Sequence, residues 1–349
     1  MFKKVLNILK YLGFLSIGVF VFWWVYKDEP VSNYNEVFGS LNYWWILVSV
    51  ILNILSQISR ALRWNMLLKP LGYNPKLYNS YLAVVLLYFV NLIVPRAGEV
   101  FRCTVLARYE KIPFAKLAGT VFVERMVDFF TLMGLAVIIL LSQFGTIVSF
   151  FETHEDVRNN LGNLFSVRNI IIGIGVIFLL IMIFLVFNRY FKKNKRGRSS
   201  SFIKRFRLIK QNFIIGIKSI AMLESKWMFI GHTGFIFAMW LFMLYVIFLA
   251  FEPTSHLSLQ TGMITFMMGG LAMLAPVQGG IGPWHFMVYE TLFIYGIDKA
   301  DGKIFALVAH ASTTLIYLFL GLIAFALLPL INRRRTRSDL PADQSNIQQ

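Results

Sequence analysis

Asn91-Leu-Ile-Val-Pro-Arg-Ala-Gly-Glu-Val-Phe-Arg102 interrupts an apolar run with Pro95 and Gly98, and follows the interruption with Arg96, Glu99 and Arg102. Proline removes a backbone donor and glycine admits dihedrals that other residues avoid, so the spacing predicts that a helix stops here. Hydrocarbon cannot satisfy the freed backbone groups, so such a break is stable only inside protein or beside a wet cavity. Late in the chain, Leu274-Ala-Pro-Val-Gln-Gly-Gly-Ile-Gly-Pro-Trp-His285 repeats the pattern. Two broken apolar segments, one in each half of a membrane chain, point to a transport site at the breaks.

Working outward, the composition fits only a membrane protein. Mean hydropathy is +0.65, 57% of residues are hydrophobic and 15% are charged. Apolar runs occupy 8–26, 43–58, 78–94, 119–142, 170–188, 228–251, 262–275 and 304–331. Two of them, 43–58 and 262–275, fall short of the ~20 residues a helix needs to cross. The first run ends in Trp23, Trp24, Val25 and Tyr26, with no small-residue cleavage site, and reads as a retained anchor. Cys103 is the single cysteine, which excludes an intramolecular disulfide and a thiolate metal cluster. The histidines, at 154, 232, 256, 285 and 310, show no metal-ligand spacing, so neither a metal nor a cofactor is expected. The formal charge of +17 gathers near the ends of apolar runs, where topology and anionic headgroups explain it better than nucleic acid does.

Basic loops stay on the cytoplasmic side. Lys3, Lys4 and Lys10 place the N-terminus there. Residues 27–42, with Asp28, Glu29 and Glu36 against Lys27, suit the outside; 59–77, with Arg60, Arg63, Lys69 and Lys76 and no acid, suit the inside. Residues 143–168 suit the outside again, with Glu152, Glu155 and Asp156 against Arg158 and Arg168. Residues 189–227 carry twelve Lys or Arg against Glu224 alone, and Arg333, Arg334, Arg335 and Arg337 mark the tail as cytoplasmic. If 78–94 crossed, the basic stretch 96–116 would be stranded outside. The conflict disappears if 78–108 enters from the cytoplasm, turns at Pro95–Gly98 and returns. By the same bookkeeping 262–296 enters and leaves from outside, turning at Pro276–Pro283.

The order span, hairpin, span then occurs twice in opposite orientation, about 43–142 and about 228–331. The expected fold is an all-α polytopic integral membrane protein with six spanning helices plus two re-entrant hairpins in an inverted-topology repeat, or eight helices if both hairpins span. One transmembrane domain would cover 1–331, with a cytoplasmic basic linker at 189–227 and a disordered cytoplasmic tail at 332–349.

Four stretches in order, Arg60-Ala-Leu-Arg-Trp64, Asn91 to Glu99, Gly119-Thr-Val-Phe-Val-Glu-Arg-Met-Val-Asp128 and Pro276 to Gly282, resemble the transmembrane, flippase-like region of lysylphosphatidylglycerol synthases. The resemblance covers roughly residues 10–331. The polar tail 332–349 is too short for the aminoacyl-transfer domain that full-length members append. The resemblance therefore implies a non-enzymatic member that moves lipid; the charge bias puts both termini in the cytoplasm, and a bacterial inner membrane is the simplest setting.

Charged groups inside a membrane mark a pathway or a buried pair. The first hairpin offers Asn91, Arg96, Glu99 and Arg102, with Glu99 spaced to pair with Arg102 on a helix and Arg96 suited to a lipid phosphate. The next span offers Glu124, Arg125 and Asp128, the two carboxylates sharing one helix face about a turn into the membrane. These groups suit proton coupling or a salt-bridge network to the hairpin. Arg60 and Arg63, read as following the second span, either draw an anionic headgroup or only set topology. The second hairpin offers Gln278, Gly279, Gly280, Gly282 and His285, with Trp284 and Glu290 nearby; glycine-rich backbone can form an anion-binding concavity. Residues 202–220, with Phe202, Phe206, Ile209, Phe213, Ile217 and Ile220 against a basic face, read as an interfacial helix. The expected function is translocation of an anionic phospholipid or polyprenyl-phosphate-linked lipid. The alternative is a non-catalytic membrane partner that presents lipid to a separate glycosyl- or aminoacyl-transferase. No nucleophile–base pair or metal cluster is evident for an intramembrane enzyme.

Overall fold

The computed structural model describes residues 16, 19–27, 38–143, 145, 182, 200–275 and 277–332, with only the backbone described at 140 and 200–207. The start of the first expected span, most of the acidic stretches, the 170–188 span, the basic run 189–199, Pro276 and nearly all of the 332–349 tail lie outside the described residues. The chain divides into one unit of residues 1–136 with 212–349 and a second of 137–211. The second contains the end of one long helix and the start of another. All site geometry below lies in the first.

The described residues are helical, with no strand among them. Helix α1 runs Tyr43–Leu68, α2 Leu77–Ile93, α3 Gly98–Glu110, α4 Phe114–Ser142, α5 Ser200–Lys218, α6 Lys226–Phe248, α7 Leu259–Ala272, α8 Pro283–Ile294 and α9 Lys299–Ile331. Short polar caps set several starts: Asn42 accepts from the Trp44 amide, Ser225 from Met228, Ser258 from Thr261 and Asp298 from Ala300. Three helices, α1 (with the turn after it), α6 and α9, are long and apolar enough to cross a membrane. Helix α4 is 29 residues long but carries charges in its interior. Helices α2, α3, α7 and α8, of 17, 13, 14 and 12 residues, are each shorter than the ~20 residues a crossing needs.

Helix α1 is inside-out relative to a helix in water. It buries Ser49, Asn53, Ser56, Gln57, Arg60 and Arg63 and exposes Leu47, Ile51 and Leu55. Polar side chains find partners within the protein and aliphatic ones face outward, as lipid demands. The apolar run that suggested a helix over 43–58 stops at Ser59 and Arg60, but the helix continues to Leu68 because Arg60 and Arg63 are neutralised from other helices. These arginines are therefore not loop residues after a span, and the expected loop 59–77 shrinks to the few residues before Leu77. Likewise α4 begins at Phe114 rather than 119, so Glu124 lies ten residues along the helix, about 15 Å from its start.

Helices α2 and α3 form a tight hairpin. Val94 is extended and Arg96 has φ +61°. A Cβ on Gly98 would stand 2.1 Å from the Leu87 carbonyl oxygen, so only glycine lets the two arms close. Asn91 Oδ1 accepts from the Gly98 amide at 2.9 Å. The α7–α8 turn uses Gly279, Gly280 and Gly282, at φ +56°, +80° and +90°, and Pro283 then opens α8. The two turns touch. Arg96 Nη2 donates to the Leu274 carbonyl, and the Leu92 side chain lies 3.3 Å from where a Gly279 Cβ would stand.

One apolar core joins α1, α2, α3, α4 and α9 around Trp64, Leu86, Leu106, Leu117 and Ala324. A second joins α6, α8 and α9 around Phe248, Val288, Leu292 and Phe305. The 19–26 helical segment meets this second group: the Tyr26 hydroxyl donates to the Lys303 carbonyl at 3.0 Å, and Phe22 lies edge-on to His285. The helix expected at 202–220 is α5, and its second half packs closely on α4, where a Gly216 Cβ would stand 2.8 Å from Gly119 Cα. A small-residue pair allows this backbone approach.

Candidate functional site

Three elements bring seven charged side chains together. Helix α1 supplies Arg60 and Arg63, α3 supplies Glu99 and Arg102, and α4 supplies Glu124, Arg125 and Asp128. Glu124 is the hub: Arg60 Nε lies 3.0 Å away, Arg102 Nη2 3.1 Å, Arg63 Nη2 3.4 Å and Arg125 Nη2 2.7 Å. Glu99 holds Arg102 at 2.8 Å and Arg125 at 3.3 Å; Asp128 holds Arg63 and Arg125, each at 2.7 Å. Arg60, Arg63, Arg102 and Glu124 are sealed from the surface, whereas Glu99 and Arg125 are 27% and 35% exposed. The cluster therefore opens on the Glu99–Arg125 side.

Four guanidinium groups face three carboxylates, so the cluster carries one formal positive charge in excess. Aromatic faces take up part of the field: Arg102 lies 4.6 Å from the Trp64 ring, Arg60 5.3 Å from Tyr88 and 5.8 Å from Trp240, and Arg63 5.7 Å from Phe229. Arg63 Nε is buried with no hydrogen-bond partner among the described residues. Desolvating this many charges is costly, and removing any one leaves its partners uncompensated.

A polar path leads away from the cluster. Arg60 Nη1 donates to the Tyr88 hydroxyl, and the Tyr88 ring stacks on Tyr317 with centroids 4.4 Å apart. Asn53 donates to the Tyr317 hydroxyl at 3.2 Å, and Gln57 Nε2 donates to Asn53 Oδ1. His310, Thr314 and Tyr317 share one face of α9 by their spacing. Thr314 and His310 Nδ1 are 3.3 Å apart, and His310 Nε2 donates to the Gly279 carbonyl at 2.8 Å. The His285 ring lies 4.5 Å from that of His310. The ionic cluster and the glycine turn thus lie at the two ends of a half-buried row of polar side chains.

Of the residues singled out in the sequence, Arg60, Arg63, Glu99, Arg102, Glu124, Arg125 and Asp128 converge. Asn91 instead spends its side-chain carbonyl on the hairpin turn, and Arg96 ties one turn to the other. Gln278, Gly279, Gly280, Gly282 and His285 form the second turn, away from the ion pairs; Gln278 is buried and its Oε1 has no partner among the described residues. His285 Nδ1 accepts from the Gly282 amide at 3.3 Å, and Glu290 pairs with Lys299 at 3.3 Å. Asn53, Gln57, Tyr88 and Tyr317 stand outside the residues singled out from the sequence, and His310 enters there only among histidines without metal-ligand spacing. A signal existed for most: Asn53, Gln57 and Arg60 recur at helical steps, as do His310, Thr314 and Tyr317. Among the described residues no group of three or more His, Cys, Asp or Glu is placed to hold a metal.

Short, broken helices between long apolar ones, with ion pairs turned inward, define an all-helical membrane protein with a buried charged site. The chain belongs to the lysylphosphatidylglycerol synthase TM region family, whose pattern matches residues 11–321. It is similar to the UPF0104 membrane protein MJ1595 of Methanocaldococcus jannaschii, 30% identical over 138 residues, covering 37% of this chain and 39% of that protein. It is also similar to Glycosyltransferase AglD of Haloferax volcanii, 22% identical over 283 residues, covering 75% of this chain and 44% of that protein. The chain thus spans less than half the length of each of these curated relatives. No solved structure matches it.

Proposed function

We propose that the protein moves an anionic phospholipid or a polyprenyl-phosphate-linked lipid between the leaflets of a bacterial inner membrane. The observation that carries this reading is the buried cluster itself. A membrane protein that only needed helix glue would not keep four arginines against three carboxylates some 15 Å along a helix. The excess positive charge suits a phosphate, which guanidinium groups hold in bidentate fashion. The headgroup enters from the Glu99–Arg125 side. Arginines then exchange carboxylate for phosphate, and the acyl chains stay in lipid.

In this reading α2–α3 and α7–α8 are re-entrant hairpins from opposite faces, and α1 to α4 and α6 to α9 are the two halves of an inverted repeat, with both termini cytoplasmic. The shortness of all four hairpin helices and the contact of Arg96 with Leu274 support it. Two hairpins from opposite faces must meet tip to tip near the midplane. Rocking one half against the other exposes the cluster to each leaflet in turn.

A second reading is favoured by the match to a protein named a glycosyltransferase, 44% of which is covered by the alignment. Here the transmembrane unit presents a lipid substrate to a transferase and catalyses nothing itself. Reconstitution separates the two. Vesicles holding the protein and a headgroup-labelled phosphatidylglycerol or polyprenyl phosphate are expected to equilibrate label across the bilayer faster than empty vesicles. Movement of neither lipid contradicts translocation. Co-purification of a stoichiometric transferase, with lipid movement indifferent to variants of the turns, favours presentation.

A further inference from the structure

We infer that the outer seam between α1 and α6 seats one acyl chain of an anionic phospholipid, with a lipid ester or phosphate oxygen on His232. The inference rests on the membrane setting of α1 and α6, and holds whether or not lipid crosses. The seam forms a groove of about 460 Å³, in which Leu55 and Leu62 of α1 face Phe235 and Met228 of α6. Gly231 keeps it bare, since no described residue stands within 4 Å of where its Cβ would be. Both helices are long and apolar enough to span, and among the described residues only these two line the groove, which suits it to lipid.

A polar group lies in this otherwise apolar groove. Ser59 and His232 Nδ1 are 2.8 Å apart, and His232 Nε2 makes no hydrogen bond within the described residues. With the Ser59 hydroxyl donating to Nδ1, Nε2 carries the proton and is a donor. Hydrocarbon offers no acceptor, and an unmet donor there is costly. An amphiphile does offer one. His232 is six residues into α6, about 9 Å along the helix, a depth at which interfacial groups meet acyl chains.

Charge complementarity chooses the class of lipid. Ser59 is one turn from Arg63, and Arg63 Nη1 donates at 3.1 Å to Thr233, the neighbour of His232. The excess positive charge of the arginine cluster therefore lies behind the polar end of the groove, favouring an anionic headgroup over a zwitterionic one.

The test uses the full chain in vesicles of phosphatidylglycerol and phosphatidylethanolamine, doped with phosphatidylglycerol bearing a photoreactive group on one acyl chain close to its ester. Label is expected on 55–62 and 228–235, competed by unlabelled phosphatidylglycerol and much less by phosphatidylcholine. Gly231→Phe, which fills the groove, is expected to abolish that label. Gly234→Phe, where no described residue stands within 4 Å either but which does not line the groove, is expected to leave it unchanged. His232→Phe is expected to remove the preference for the anionic lipid while retaining an apolar groove. Label unchanged in Gly231→Phe, equal competition by phosphatidylcholine, or a crosslink joining two copies of the chain through 228–235 would each overturn the inference. Lipid movement is read on the same vesicles: groove label without movement contradicts translocation alone, and movement without groove label contradicts this site alone.

Discussion

Arg60 of α1 and Glu124 of α4, 64 residues apart in the chain, share a 3.0 Å hydrogen bond from Nε to Oε1 with both side chains sealed from the surface. That one contact fixes the register of a spanning helix against the helix carrying most of the acidic groups of the cluster.

Glu124→Gln removes the carboxylate that four arginines share. Breaking a buried ion pair by deleting one partner costs about 3–5 kcal/mol, because the remaining charges lose compensation. A large drop in melting temperature in detergent is the expected outcome. The double variant Glu124→Gln with Arg60→Gln should recover part of the loss, since it removes the stranded charge as well; simple additivity in the double-mutant cycle would contradict the pairing.

Arg60→Lys keeps the charge but not the fork. Arg60 spreads Nε, Nη1 and Nη2 over Glu124, Tyr88 and Glu99, and a single ammonium cannot reach all three. The variant should fold with a loss of about 1–3 kcal/mol and move labelled lipid roughly tenfold more slowly. Wild-type movement would remove Arg60 from the site.

Gly98→Ala should disrupt the α2–α3 hairpin, because the new methyl would stand 2.1 Å from a backbone oxygen that cannot swing aside. Overpacking of this kind costs about 1–3 kcal/mol or more. Gly134→Ala on α4, with no described residue within 4 Å, is the control and should leave melting unchanged or raise it, since a helix interior favours alanine by about 1 kcal/mol. Comparison of the two melting temperatures checks the turn.

Tyr317→Phe removes the hydroxyl that accepts from Asn53 while leaving the ring stacked on Tyr88. A stability cost near 1 kcal/mol is expected, with a larger effect on lipid movement if the row of polar side chains carries the headgroup. Arg96→Ala, which unties the two turns, should alter movement with little change in melting, because the Leu274 carbonyl it frees lies at an exposed turn.

Much of the hairpin and its chemistry was legible from residue order. Pro95 and Gly98 mark a turn whatever surrounds them, Glu99 and Arg102 meet at helical spacing, and Glu124 and Asp128 fall on one face. Arg60 and Arg63 were harder, because hydropathy falls wherever a charge stands and cannot tell a loop from a helix whose charges are answered from elsewhere. The answering groups come from α3 and α4, far along the chain. Tyr88, Tyr317 and His310 were hidden for the opposite reason: an aromatic in an apolar run reads as packing until another helix brings a polar partner to its edge.

Topology separates the two arrangements most sharply, since opposed re-entrant hairpins predict the sidedness of two loops and eight ordinary spans predict the reverse. Cys103 is buried and silent, so single cysteines at the exposed Pro113 and His256 can be read with a membrane-impermeant thiol reagent applied to each face. With opposed hairpins, Pro113→Cys reacts only from the cytoplasmic face and His256→Cys only from the opposite one. Reaction of Pro113→Cys from outside and of His256→Cys from the cytoplasm would contradict that arrangement.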